Sequence, residues 1–454
     1  MPADKRKRFE AVWKRCRFFA ILFSILPALF ISARDAADNP STVIKGGTVL
    51  TMAGETIENG TVVIREGKIA AVGKQIGIPE GAAIIDATGK YVMPGIVDAM
   101  TYYGIRPMFP LNDRENPVTP QNRIIFAYYP FGKENVGEQG MAKDTELLSG
   151  GVTAVYIAPG DRQVIGGQGA VVKTYGTSYE ALTLREPAAI DMCIGDPPKY
   201  EMEKGAKTPV TRMGIVTLIR KALLGARRYH RKVRLYEEKS DEEKEKAGPP
   251  PRDLGMEAMA RLLKKEIPAR VESDFVDDIR TAIRIRDEFD FDLVLDGGLG
   301  AHKLKDALAE KNISVVLGPP THPFIQGGEV SMTPDLYREM NEYNVAELLG
   351  AGVKVALGSF GFGFGTFGYA TQGRWLLIEA AYLSGFGVSD EEVLKMITIN
   401  AAEILGVEDR IGSIEKGKDA DMIILDGYPL NIKTWVDQVF IDGRCVYIRN
   451  RRQK

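Results

Sequence analysis

Tyr91-Val92-Met93-Pro94-Gly95-Ile96-Val97-Asp98-Ala99-Met100-Thr101-Tyr102 is the stretch on which the fold turns, because its Pro-Gly step separates two kinds of strand pattern. Upstream, from Val43 to Asp86, short apolar runs (VIKGGTVLTM, TVVIREGKIAAVG) alternate with Gly or Asn turns, which predicts antiparallel strands joined by hairpins. The far end of the chain repeats this pattern in IGSIEKGKDADMIILDG and VDQVFIDGRCVYI, so both ends are expected to build one β-sandwich. Between them, strand-like runs (VTAVYIA, DLVLDG, ISVVLG, VKVALG) alternate with helical ones (DDIRTAIRIRDEF, AHKLKDALAEK). That alternation predicts βα units and a parallel sheet, and roughly 300 residues of it suit a closed eight-stranded barrel. The expected fold is therefore α/β: a (β/α)8 TIM-like barrel over 94–405 and a composite sandwich from 39–93 and 406–454. Residues 236–253, YEEKSDEEKEKAGPPPRD, are too charged and proline-rich to bury apolar area and read as a solvated helix end and loop.

The bulk numbers fit this reading. A chain of 454 residues has room for one large domain and a smaller module. Lys+Arg 59 against Asp+Glu 61 gives no field that would gather nucleic acid. Cys16, Cys193 and Cys445 are too few and too scattered for a disulfide framework. Only three histidines are present, His230, His302 and His322, whereas a zinc hydrolase typically spends three or four as ligands.

The quoted stretch resembles the amidohydrolase superfamily, whose first barrel strand reads P-G-x-x-D-x-H-x-H. The likeness continues through Gly151-Val152-Thr153-Ala154-Val155, through Gly166-Gly167-Gln168-Gly169-Ala170-Val171-Val172-Lys173 and into IGSIEKGKDADMIIL. It is most similar to the imidazolonepropionase-like, cyclic-amidohydrolase-like branch. In such enzymes alternate histidines on one strand share its inner face. They hold a metal that activates water and polarises a carbonyl, so that a cyclic amide C–N bond is hydrolysed.

The positions the resemblance assigns to ligands are altered here. Met100 and Tyr102 stand where the two first-strand histidines belong, a soft thioether and a phenol. Asp191 stands at the place of a supporting lysine, Glu272 at a fifth-strand histidine and Gly297 at a sixth-strand one. The eighth-strand G-T-D becomes Gly358-Ser359-Phe360, which removes the aspartate that serves as ligand and base. The expected site therefore has no metal and no cofactor, with Met100, Tyr102, Phe360 and Gln168 as ligand-binding residues. Phe360 would join Phe362 and Phe364 in a dry loop over the barrel mouth. The alternative is a hard divalent cation held by Asp98, Asp191, Glu272 and Asp274, against which those carboxylates would pair with Arg270 or Lys173. His230, in RRYHRK, reads as a solvated helix residue, while His302 and His322 follow strands at the end where such barrels place their sites.

Two functions follow as expectations. One is a catalytically degenerate amidohydrolase homologue that binds a small molecule, or pairs as a homo-oligomer or with a competent homologue. The other is an active hydrolase of non-peptide C–N bonds using Asp191, Glu272 and His322. Residues 1–38 add a location: basic Lys5-Arg6-Lys7-Arg8 and Lys14-Arg15-Cys16-Arg17 precede the uncharged run Phe18 to Ala33. Sixteen residues span about 24 Å as a helix, short of a bilayer core of roughly 30 Å, and Pro27 interrupts them. A signal peptide and export are expected, with an uncleaved membrane anchor as the rival.

Overall fold

The computed structural model describes residues 41–105, 116–128, 144–176, 178–199, 209–320, 339–361 and 373–450. His322, Phe362, Phe364 and the N-terminal segment lie outside them. Strands β1 (Thr42–Val49), β2 (Ile57–Arg65), β3 (Lys68–Gly73), β4 (Ala83–Asp86) and β5 (Tyr91–Pro94) come from the front of the chain; β14 (Met422–Leu425), β15 (Val436–Ile441) and β16 (Arg444–Ile448) come from the back. They join in a single eight-stranded sheet, ordered β16-β15-β14-β5-β1-β2-β3 with β4 also on β1. The seam between the chain ends is β5 on β14, antiparallel, with Met93 opposite Ile423. The expected hairpins β1-β2 and β2-β3 are antiparallel, but β4 and β5 both run parallel to β1, so this half is not purely a set of hairpins. Ile44, Val62, Ile64, Ile424 and Phe440 share one small apolar cluster, which is how strands from both ends bury a common face.

The second sheet is a nearly closed eight-stranded barrel: β6 (Ile96–Thr101), β7 (Val152–Ile157), β8 (Ile165–Lys173), β9 (Thr183–Cys193), β10 (Ala269–Ser273), β11 (Leu293–Gly297), β12 (Ser314–Leu317) and β13 (Val355–Leu357), hydrogen-bonded in chain order. Backbone bonds from Phe360 N to Met100 O (2.8 Å) and from Tyr102 N to Gly361 O (3.0 Å) tie the last strand to the first. Gly358 makes that seam possible, since a Cβ there would lie 2.7 Å from Met100 Cβ.

One strand departs from the parallel expectation. β8 runs antiparallel to both β7 and β9. The expected strand VTAVYIA is β7, whereas Ile165–Lys173 was not among the expected strands; it is buried along its whole length and carries no alternation from which a direction could be read. The run from β7 to β9 is correspondingly short of helix, with only the turn-length Tyr179–Leu182 in between among the described residues.

Helices flank the later strands. Arg212–Glu237 starts on the Thr211 side chain, which accepts from Gly214 N, and buries Ile215, Ile219, Leu223 and Ala226. The charged segment after it keeps to the surface as Asp241–Ala247, an exposed helix begun by a reciprocal Ser240–Glu243 capping box, followed by a loop. Val276–Phe289 and Asn344–Gly350 cover the barrel further on. Among the described residues no helix is long and apolar enough to cross a membrane.

Candidate functional site

Inside the barrel, neighbouring strands bring charged side chains together through their register. On β10, Arg270 and Glu272 are two residues apart and so share a face. Arg270 is paired with Asp191 on β9, and Glu272 with Asp296 on β11. Met100 on β6 and the loop residues Pro159, Gly160, Asp161 and Gln163 complete the walls of a small cavity of about 10 Å³, room for about one water molecule, which Asp191, Met192, Arg270, Glu272 and Asp296 also line.

The centre of this arrangement is Arg270. Its guanidinium is buried and grips Asp296 with two bonds, Nε to Oδ2 at 2.9 Å and Nη2 to Oδ1 at 2.5 Å. It lies 3.9 Å from the Tyr156 ring centroid, so its positive charge rests on an aromatic face as well as on a carboxylate. Its third nitrogen, Nη1, is buried and has no hydrogen-bond partner. Asp191 takes the Tyr156 hydroxyl at 2.9 Å on either oxygen. That contact depends on Gly169: a Cβ there would sit 1.9 Å from the Tyr156 oxygen and 2.8 Å from Asp191 Oδ2. The glycine-rich run on β8 is therefore neither a loop cradle nor a turn at this point but the clearance for a buried phenol-carboxyl pair.

Burial sets the protonation of the carboxyls. Removal from water pushes Asp191 up to about 8, with Arg270 opposing and Asp296 reinforcing the rise. Glu272 is driven well above the ordinary carboxyl range by burial and by the negative charges of Asp161, Asp274, Asp296 and Asp191. Asp274 rises to about 7, again through burial, although the backbone N–H groups of Leu299 and Gly298 pull the other way. At neutral pH Asp191 thus carries a proton and Glu272 is biased the same way, while Arg270 opposes the rise that burial imposes on Asp296.

Sequence-expected residues fall into two groups. Asp191, Glu272 and Met100 converge on the cavity. Tyr102, buried just past β6, is close enough to Glu272, Asp161 and Asp191 for their charges to raise its phenol, which burial raises first. Gln168 points elsewhere, its amide donating to Pro120 O at 2.9 Å, and Gln163 takes the place by the cavity. Phe360 is buried but is not among the cavity-lining residues; it occupies left-handed backbone (φ 48°) at the barrel seam. Asp98 belongs to that seam too: its oxygens accept from Ser359 Oγ at 2.6 Å and Ser359 N at 2.8 Å, and burial raises it to about 6. His302 lies on a 3-10 turn with its N–H donating to Asn344 Oδ1 at 3.0 Å, and His230 on the long helix; neither lines the cavity.

Lys173 does not pair with the site carboxylates. It reaches the other sheet, meeting Asp419 at 2.8 Å, Asp421 at 2.9 Å and Asp442 at 2.6 Å. Tyr156 and Asp296 were missed in the sequence, and Arg270 was read only as a counter-ion. A signal existed: charged residues at alternate places in Ala269-Arg270-Val271-Glu272-Ser273 are unexpected in a strand buried on both faces.

A solved amidohydrolase from Thermotoga maritima is 34% identical, with a TM-score of 0.78, covering 90% of this chain and all of its own. The chain belongs to the amidohydrolase family. The profile of that family, "Amidohydrolase family", matches residues 302–446. Amidohydrolase tasK of Hapsidospora irregularis is 24% identical over 424 residues, 86% of this chain, but the chain spans only 40% of that protein. A shorter likeness, 41% over 71 residues, joins it to an imidazolonepropionase of Thermoplasma volcanium, covering 14% of this chain and 17% of that one.

Among the described residues, the donors at the first-strand positions do not suit the metal that amidohydrolases of this resemblance use. Met100 offers a thioether and Tyr102 a phenol whose proton burial retains. Asp98 is hydrogen-bonded to Ser359 at the seam and is not among the residues that line the cavity. A guanidinium already supplies the cavity with a fixed cation. Among the described residues no three His, Cys, Asp or Glu side chains are grouped to hold a metal ion, so the four carboxylates Asp98, Asp191, Glu272 and Asp274 do not form the expected hard-cation cage.

Proposed function

We propose that this amidohydrolase-family chain has given up metal-dependent hydrolysis and acts by binding, as a ligand-binding protein or a partner subunit. One observation carries the reading: Arg270, locked to Asp296, places a permanent organic cation among the inner carboxyls, where a metal would have to compete with it. Met100 and Tyr102, buried at the first-strand positions, supply no strong ligand in compensation. Loss of a metal site and a base each removes on the order of several kcal/mol of transition-state stabilisation, so hydrolysis by the usual route is not expected. Elemental analysis of the purified protein, with assays on cyclic imides, hydantoins and acyl-dipeptides with and without divalent metal, tests it. Metal-free, inert protein is the expected result; stoichiometric metal with metal-dependent turnover would sink the reading.

A second reading is favoured by Asp191 and Glu272 sharing one cavity in protonated form. Such a pair can act as general acid toward a C–N leaving group, which would make the chain a hydrolase with a rearranged site. Turnover abolished by Asp191→Asn and indifferent to chelators is its signature. Within the family, the short imidazolonepropionase likeness and the first-strand motif support the cyclic-amide branch as origin. Export rests on the basic and apolar segments before residue 38, and cell fractionation of the full chain reads it directly.

A further inference from the structure

We propose that the exposed face of the long helix Arg212–Glu237 is a docking surface for an anionic lipid bilayer, along which the helix lies flat. None of its residues lines the barrel cavity. The helix reads RMGIVTLIRKALLGARRYHRKVRLYE and turns Ile215, Ile219, Leu223 and Ala226 inward, so one face is spent on the protein and only the other can meet a partner.

Three features set that outer face apart. First, Met213, Leu224 and Leu235 recur every eleven residues, about three helical turns, and so stand in one row about 33 Å long. They are 77%, 42% and 47% exposed. A single exposed leucine means little, whereas a row of apolar side chains on one face marks a place of contact. Second, basic side chains frame the row. Arg220 and Arg228 lie one turn to either side of Leu224, and Arg231 one turn before Leu235. Glu237, the last residue, is the only acid of the helix, although the whole chain has a net charge of -2.

Third, much of this charge is unanswered. Arg220 is held by Glu288, Arg234 reaches Glu238 at 3.6 Å, and Arg227 donates to the Glu288 and Phe289 carbonyls. Among the described residues no carboxylate pairs with Lys221, Arg228, Arg231 or Lys232. Arg228 and Lys232 stand four apart, as do Arg227 and Arg231, and such like-charged neighbours repel. A face built only for water intersperses glutamates among its lysines and arginines, and none stands between Arg220 and Arg234. An anionic surface turns the repulsion into attraction. The acidic helix Asp241–Ala247 follows shortly after, so the pull is strongest over residues 220 to 231. Nucleic acid would answer the charges but not the apolar row. A bilayer interface answers both, with phosphates for the arginines and the acyl boundary for Met213, Leu224 and Leu235.

The test is cosedimentation of the full chain with vesicles of mixed phosphatidylglycerol and phosphatidylcholine, and of phosphatidylcholine alone. Binding that requires phosphatidylglycerol and weakens as salt rises is expected. Arg228→Gln with Arg231→Gln should weaken it about 25-fold, about fivefold for each basic side chain removed. Leu224→Ser with Leu235→Ser should weaken it as well and leave the salt dependence as it was. These side chains are exposed, so urea melts of the variants should match the parent. Residues 1–38 carry basic and apolar runs of their own, so a reading local to the helix is needed too. In Leu224→Trp, lipids brominated in the acyl chain should quench more emission than in the parent. Equal binding to both vesicles, binding indifferent to the arginine pair, or no added quenching in Leu224→Trp overturns the assignment. So does an arginine variant that loses a dimer, or binding to duplex DNA, while vesicle binding stays, because the face then belongs to a second copy or to nucleic acid.

Discussion

Among the described residues two cations, Lys173 and Arg270, are buried, and they are satisfied differently. Lys173 leaves the barrel strand β8 toward the composite sheet and meets Asp419, Asp421 and Asp442, so its three donors are all taken. Arg270, at the barrel centre, has one carboxylate partner, an aromatic face and a nitrogen left over. Both are deprived of water, and both sit among more carboxylates than they can neutralise. The saturated one is a tie between two sheets; the unsaturated one borders a cavity. A buried charge therefore signals a site when its donor count exceeds the partners that the fold supplies.

Removing Lys173 should have the largest effect. Lys173→Met leaves Asp421 buried without its cation, while Asp419 keeps Lys68 and Arg410. A loss of about 5 kcal/mol, the upper end for breaking a buried pair, is expected in urea unfolding. Arg270→Met should lose less, about 3 kcal/mol, because only Asp296 is orphaned and the cavity beside it can take in water. The double variant Arg270→Met with Asp296→Leu should regain most of that loss, since an apolar pair of similar volume can replace a buried ion pair. Equal losses for the two single variants would erase the distinction between tie and site. A third change sharpens it: Gly169→Ala pushes the Tyr156 hydroxyl off Asp191, costing about 2 kcal/mol by overpacking, read in the same melts.

Much of the fold was legible because its strands announce themselves by period and composition. DLVLDG, ISVVLG and VKVALG became β11, β12 and β13, and the two end segments met along β5 and β14 as one β-rich layer. The direction of β8 was hidden, because Ile165 to Lys173 is buried along its whole length and alternation vanishes when both faces are covered. The strands of the expected composite β module share one hydrogen-bonded sheet, a continuity that pairing, not hydrophobicity, decides. At the site, Asp191 and Glu272 could be found by aligning motif positions, whereas the Arg270–Asp296 grip spans two strands and needed their register. Gln168 and Phe360 were attractive as residues but are held by Pro120 and the Met100 backbone, contacts that no local pattern encodes.

The smallest effect expected is on the pH dependence of stability, and it separates the two cations once more. Asp191 carries a proton in the folded state up to about 8, against an ordinary 3.8, so between these values the folded chain binds more protons than the unfolded one. Stability must then fall as pH rises through that window, the reverse of a carboxylate held ionised by a salt bridge. Asp421, raised only to about 6 because Lys173 opposes its burial, completes its share of the decline at lower pH. Urea melts at pH 6.5 and 7.5 should therefore show the full chain losing stability, with Glu272 and Asp274 adding to the loss; the share of Asp191, on the order of 1 kcal/mol, should disappear in Asp191→Asn and the loss stay nearly unchanged in Asp421→Asn. Were Asp421→Asn the variant that flattened this step, the composite sheet rather than the barrel cavity would hold the proton that leaves near neutrality, and Lys173, not Arg270, would be the poorly balanced cation.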